Sequence, residues 1–162
     1  MKIGVIADTH IPERAEEIPQ QILDAFKGVD MIIHAGDFVN LSVLDKLRTV
    51  CKNISAVWGN MDSYEIREKL PEKEIVKIGN FKVGIVHGYG PPNKLVELVT
   101  EIFKEEKIDL IIFGHSHSAL NEKKGDILYF NPCSPTDKIF ALYNSYGIIE
   151  INDKIKARIV MI

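Results

Sequence analysis

Short apolar runs recur along the chain, and most of them stop at a small polar cluster. The run KIGVIA (residues 2–7) is uninterrupted and β-branched, as expected of a strand buried on both faces, and it ends in DTH. IPQQILDAFKG (18–28) follows with helical spacing, Pro19 suiting the first turn and Gly28 the stop. DMIIHAGD (30–37) reads as a second buried strand. LSVLDKLRTVCK (41–52) reads as a helix capped by Asn40, and ISAVWGNMD (54–62) as a third strand. This β-α-β-α-β alternation predicts parallel pairing.

The second half has a different pattern. EIVKIGNFKVGIVHG (74–88) contains two strand-like runs joined at Gly79-Asn80, a hairpin signal. In PPNKLVELVTEIFKEEK (91–107), Pro91-Pro92 start a helix that gathers Leu95, Leu98, Val99, Ile102 and Phe103 on one face. IDLIIFGHSH (108–117) is the next buried strand. DILYFNP, YGIIEI and KARIVMI (126–132, 146–151 and 156–162) are further strands. A βα half followed by a strand-rich half implies a mixed α/β architecture, with two sheets or one large mixed sheet, in a single domain over residues 1–162.

The bulk numbers narrow the class. The 162 residues are 46% hydrophobic and 27% charged, enough for a core, and the net charge is −3. This is not the basic footprint of a protein that grips long nucleic acid. The two cysteines, Cys51 and Cys133, form no CxxC pair and read as reduced thiols, which together with an N-terminus unlike a signal peptide gives the expectation of a cytoplasmic protein. No apolar run approaches the roughly 20 residues of a membrane helix, so no membrane partner is expected.

The polar residues at the strand ends carry the chemistry. They are Asp8 and His10 in DTH, Asp37 in GD, Asn60 in GN, His87 in VHG, and His115 and His117 in GHSH. Singly, each is ordinary turn chemistry. Together they are two Asp, one Asn and four of the five histidines, all at positions where open α/β sheets collect ligands. Seven oxygen and nitrogen donors exceed the needs of one ion and suit two. Without thiolate, the set favours Mn, Fe, Ni, Co, Zn or Mg over a structural zinc site.

The order D-x-H, GD, GN, H, GHxH resembles the calcineurin-like metallophosphoesterase superfamily. The short chain, with NPCSP (131–135) after GHSH, is similar to its small YfcE-like phosphodiesterase branch, whose fold the retromer subunit Vps29 shares. The resemblance implies a metallo-dependent phosphatase-like, four-layer α/β/β/α sandwich with two mixed sheets. It implies two divalent cations, manganese first, with Ni, Fe, Co, Zn or Mg as alternatives. Asp8, His10 and His117 would hold one ion, Asn60, His87 and His115 the other, and Asp37 would bridge them. Asp37, Asn60 and His87 would be the catalytic set, with Asn60 and Arg14 on the substrate. The implied reaction is hydrolysis of a small phosphodiester or nucleotide by a hydroxide that two cations activate.

Departures from the family pattern bear on that reading. Where the protein-phosphatase branch reads GNHE, this chain reads GNMD, so Met61 stands in place of a histidine that assists the leaving group. A thioether donates no proton, and this favours diesters over monoesters. Asp62 is expected to order a loop or a histidine. GDFV lacks the D-R of phosphatases. Cys133 stands where the branch usually has Gly, a structural difference, with Asn131 and Ser134 shaping the loop. His34 is expected to pack or to support a ligand from behind, Trp58 to lie in a strand and the core, and Tyr89 to line the groove. The alternatives are a phosphomonoesterase or nucleotide phosphatase, a nuclease, and a Vps29-like scaffold without activity. A homo-oligomer formed through the C-terminal strand is a further expectation.

Overall fold

A strand buried on both faces needs a layer on each side, and the apolar run at the N-terminus has them. The computed structural model describes residues 1–162. In it β1 (Lys2–Ile6) is the central strand of a five-stranded sheet, with β2 (Met31–His34) and β3 (Ile54–Ala56) parallel to it on one side. On the other side β9 (Ser145–Ile151) runs antiparallel to β1, and β10 (Ile155–Met161) antiparallel to β9. The second sheet has the order β4-β5-β6-β8-β7. Its three inner strands, β5 (Phe81–Val86), β6 (Leu110–Ile112) and β8 (Ile127–Asn131), are parallel. Its edges, β4 (Lys73–Ile78) and β7 (Leu120–Lys124), are antiparallel to their neighbours. The two mixed sheets settle the choice that the chain pattern leaves open.

Three apolar layers hold these sheets. Between them, Ile3, Val5, Ile33 and Ile149 meet Val83, Ile85, Leu110, Ile112 and Phe130. On the outer face of the first sheet, helices α1 (Gln20–Phe26) and α2 (Ser42–Arg48) bury Ile22, Phe26, Leu44 and Leu47 against Ile6, Ile32 and Ile148. On the outer face of the second, α4 (Leu95–Ile102) sets Leu95 and Val99, with Phe103 just beyond it, against Val86, Ile111 and Tyr129. The result is the four-layer α/β/β/α sandwich. Phe26 is wholly buried, so its truncation to Ala would cost about 3–5 kcal/mol.

Some local expectations change. Helix α2 starts at Ser42, whose N–H is taken by the Asn40 side chain at 2.9 Å, so the capping position is Leu41 and Asn40 acts one residue further out. Helix α3 (Tyr64–Lys69) is six residues long with only Ile66 buried, too short to show a helical period. Strand β7 is an edge of sequence LNEKK with mostly exposed side chains, so it lacks an apolar signal. Trp58 lies past the end of β3, half-buried against the edge of the core, with the Arg67 guanidinium 4.7 Å above its ring. No helix is long and apolar enough to cross a membrane.

Candidate metal centre

The loops that follow β1, β2, β3, β5 and β6 meet at one end of the two sheets. Their backbone is unusual there. Seven non-glycine residues have positive φ: Asp8, His10, Asp37, Val39, His115, His117 and Cys133. Five of these are candidate ligands. A left-handed residue costs roughly 1–2 kcal/mol, so such a concentration marks a place where the fold enforces geometry. Two glycines let these loops close. A Cβ on Gly59 would strike the Asp37 carboxylate, and one on Gly114 would lie 2.8 Å from Asp8 Oδ2.

Five of the seven candidate ligands converge. Asp8 Oδ1 lies 3.4 Å from His117 Nε2, 3.8 Å from His87 Nε2 and 3.9 Å from His10 Nε2. Asp37 Oδ2 lies 3.3 Å from His87 Nε2 and 3.5 Å from His10 Nε2. The ring nitrogens of His10 and His117 face each other at 3.1 Å. All five residues are buried. The other two turn toward one another: His115 Nδ1 pairs with Asn60 Oδ1 at 2.8 Å, and His115 Nε2 donates to the Gly90 carbonyl at 2.9 Å.

These positions suit a cation. Donors bound to one ion at about 2.0–2.2 Å lie roughly 3 Å or a little more from one another, the spacing seen here. Two groups form, Asp8 with His10 and His117, and Asp8 with Asp37 and His87, and Asp8 belongs to both. His87 Nδ1 donates to the Ala35 carbonyl at 2.7 Å, which turns Nε2 toward the carboxylates, where it is buried without a hydrogen bond. An orphaned imidazole nitrogen between two carboxylates is the chemistry of a metal ligand.

Without a metal, protons must fill that role. Burial disfavours charge on His87, but the Asp37 carboxylate and the charges of Asp8 and Asp37 outweigh it and push the imidazole up to about 9. His117 reaches about 9 in the same way: burial opposes the charge, and Asp8 and Asp137 favour it. His10 moves down, with burial the main cause. Burial raises the Asp37 carboxyl less than its contacts with His87 and the Met61 N–H lower it.

The supporting shell is mostly carboxylate and hydroxyl. Asp62 orders a loop, taking the N–H groups of Asp37, Phe38, Val39 and Gly59 at 2.7–3.0 Å. The Ser134 hydroxyl donates to the Asp8 carbonyl at 2.7 Å, and the Asn131 amide donates to the Gly114 carbonyl at 2.8 Å. Cys133 is buried, and its thiol meets the carbonyls of His117 and Tyr143. His34 stacks on Phe38 and pairs with the Thr9 hydroxyl; burial holds it well below the usual imidazole range, so it stays neutral.

Asp137 is the residue that sequence reasoning missed. Its Oδ2 accepts from His117 Nδ1 at 2.5 Å, fixing which ring nitrogen faces the cluster. The signal was present: NPCSP continues as TD, and a ligating imidazole needs an acceptor behind it.

A cleft of about 320 Å³ opens onto the cluster. Arg14, Asn60, Met61 and Phe140 line it with His10, Asp37 and the two histidines of GHSH. Arg14 lies 3.9 Å from Asp137. Tyr89 does not line the cleft; it is exposed to solvent. Its loop reaches the site through the Gly90 carbonyl, and Pro92 just beyond lines the cleft.

Comparison with known proteins gives a consistent result. A family model described as a calcineurin-like phosphoesterase superfamily domain matches residues 1–154. A Methanocaldococcus jannaschii protein named "Probable metallophosphoesterase" is 39% identical over 165 residues, spanning 100% of this chain and 82% of its own. A second protein of that organism, named a phosphodiesterase, is 31% identical over 147 residues, 82% of each chain. Among solved structures, Entamoeba histolytica Vps29 complexed with zinc matches with a TM-score of 0.77 at 27% identity, over 99% of both chains.

Proposed function

The chain belongs to the calcineurin-like phosphoesterase superfamily, a family of metal-dependent phosphoesterases, and from that membership we propose that it is a dinuclear phosphodiesterase acting on a small diester. The observation that carries the proposal is the orphaned Nε2 of His87, buried between Asp8 and Asp37, the second of which lines the cleft. Asp8, His10 and His117 would hold one cation. His87, with Asn60 and His115 turning inward, would hold the other, and Asp37, 3.5 Å from His10 and 3.3 Å from His87, would serve both. When bound, the cations would supply Lewis acidity toward phosphoryl oxygens and toward water.

The chain's own groups do the rest. Arg14 faces the cleft and can donate to a non-bridging phosphoryl oxygen. Asn60 sits at the mouth, exposed, where its amide can orient the same group. Water adds to phosphorus, the bond to the leaving oxygen breaks, and that oxygen takes up a proton. Met61 stands at the cleft wall half-exposed and has no proton to give. Solvent must then protonate the leaving group, which favours diesters with good leaving groups over monoesters.

The likeness to Vps29 carries a second reading, a partner-binding scaffold, which the exposed Ile139, Phe140, Leu142 and Tyr143 favour. One experiment separates the two. The protein is stripped with chelator, and Mn, Ni, Mg or Zn is returned singly before assay on a chromogenic phosphodiester and its matching monoester. Metal-restored turnover of the diester, with little on the monoester, supports the proposal. Absence of turnover with every metal supports the scaffold.

A further inference from the structure

The loop after Asp137 exposes an aromatic ring that the centre described above does not use. Phe140 is 68% exposed, on a loop whose backbone is anchored at several points. Its N–H is held by Asp137 Oδ2 at 3.0 Å, and the same carboxylate takes the N–H groups of Ile139 and Ala141. The Asn144 amide closes the loop by donating to the carbonyls of Ser134 and Asp137 at 3.2 and 2.7 Å. The ring stands edge-on to His117, centroids 6.0 Å apart, with the Arg14 guanidinium 5.6 Å from its centroid. One carboxylate, Asp137, therefore sets both the imidazole of the cluster and the aromatic wall beside it.

We propose that Phe140 is a stacking platform for a planar aromatic group of the substrate, so that this site selects nucleotide-type esters. The inference rests on the phosphoesterase reading and adds a substrate class to it. Three observations carry it. First, the ring lines the same cleft as His10, Asp37 and His117, so a group on it is continuous with the reacting phosphate. Second, the rest of the cleft wall sets the polar groups of Glu13, Arg14, Asn60 and Ser116 beside Met61 and Pro92. An alkyl tail laid there would bury these groups without hydrogen bonds, whereas a nucleobase has an apolar face for Phe140 and polar edges for Glu13 and Ser116. Third, Arg14 is fixed between Phe140 and Asp137, which presents its charge to a phosphate adjoining the stacked ring.

The test compares AMP with ribose 5-phosphate, two ligands that share the phosphate and sugar and differ in the base. Binding of each to manganese-loaded protein is measured by calorimetry, and turnover of the chromogenic diester is measured alongside. The expected result is that AMP binds about tenfold more tightly, within the range that base stacking supplies. Phe140→Ala should bring the two affinities together, and Phe140→Trp should keep the difference. Equal affinities in the unaltered protein, or a preference that survives Phe140→Ala, overturn the platform. Either result with diester turnover intact leaves the phosphodiesterase reading standing. Absence of turnover in the unaltered protein overturns that reading instead, whatever the affinities show.

Discussion

Asp62 holds Asp37 in its left-handed conformation. Its Oδ2 accepts the Asp37 N–H at 3.0 Å and the Gly59 N–H at 2.7 Å, while Oδ1 takes Phe38 and Val39 at 2.7 and 2.8 Å. Asp37 and Val39 both have positive φ, so the loop would relax without this anchor. One carboxylate thus fixes the backbone beneath a candidate metal ligand from the next strand end.

Asp62→Ala leaves these donors buried without partners. Each unsatisfied group costs about 1–3 kcal/mol, although a relaxing loop recovers part of that. A loss of about 3 kcal/mol or more in urea unfolding is expected, with weaker metal binding. Unchanged stability would show that Asp37 holds its conformation unaided.

Asp137→Asn retains the size of the side chain but loses the charge behind His117. Partners behind a metal-ligating histidine commonly account for 10–100-fold in affinity or activity. A drop of about that size in metal affinity is expected by calorimetry, with the fold intact by circular dichroism.

Titration of His117 gives a pH dependence with a definite sign. Its folded value of about 9 lies above the ordinary 6.5, because Asp8 and Asp137 outweigh burial. A raised value stabilises the metal-free protein fully below the ordinary value and loses that contribution as pH climbs through the folded one. The melting temperature of metal-free protein is therefore expected to fall between pH 6.5 and about 9. Metal binding, which displaces the proton, should tighten over the same interval. His87, raised to about 9 as well, contributes with the same sign, so His117→Asn should reduce the slope of the melting profile without abolishing it.

Asp37→Ala and His117→Ala should reduce metal-dependent diester hydrolysis to background while circular dichroism stays native. Turnover at the unaltered rate in either variant would sink the site assignment.

Met61→His places a proton donor at the cleft wall. General acid catalysis contributes about 10²–10⁴-fold where geometry is favourable. A rise of about tenfold in monoester turnover relative to diester is expected at neutral pH. No change would mean that this wall does not face the leaving group.

Much of this was readable from the chain, and for local reasons. The short β-branched run at residues 3–7 reads as a buried strand, and the Gly79-Asn80 step reads as a hairpin turn, which the left-handed Gly79 completes. Helix α3 and strand β7 escaped because one buries a single residue and the other is an exposed edge. Trp58 packs against the core as an aromatic ring there suggests, but beyond the end of β3, with Arg67 over its outer face.

The sequence by itself determined the kind of donors, their order, and their attachment to strand ends, because these follow from local composition and period. It also carried the family resemblance. Only the tertiary structure decided which donors meet. His10 and His117 lie 107 residues apart, at the ends of strands in different sheets, and they face each other at 3.1 Å because the sheets pack face to face. Asp8 touches both candidate groups, whereas Asn60 and His115 pair with each other, and no spacing along the chain encodes that choice. Asp137 and Phe140 were equally hidden. Their role depends on a loop after β8 folding back over the end of β6, a nonlocal contact set by sheet order, beyond the reach of local pattern.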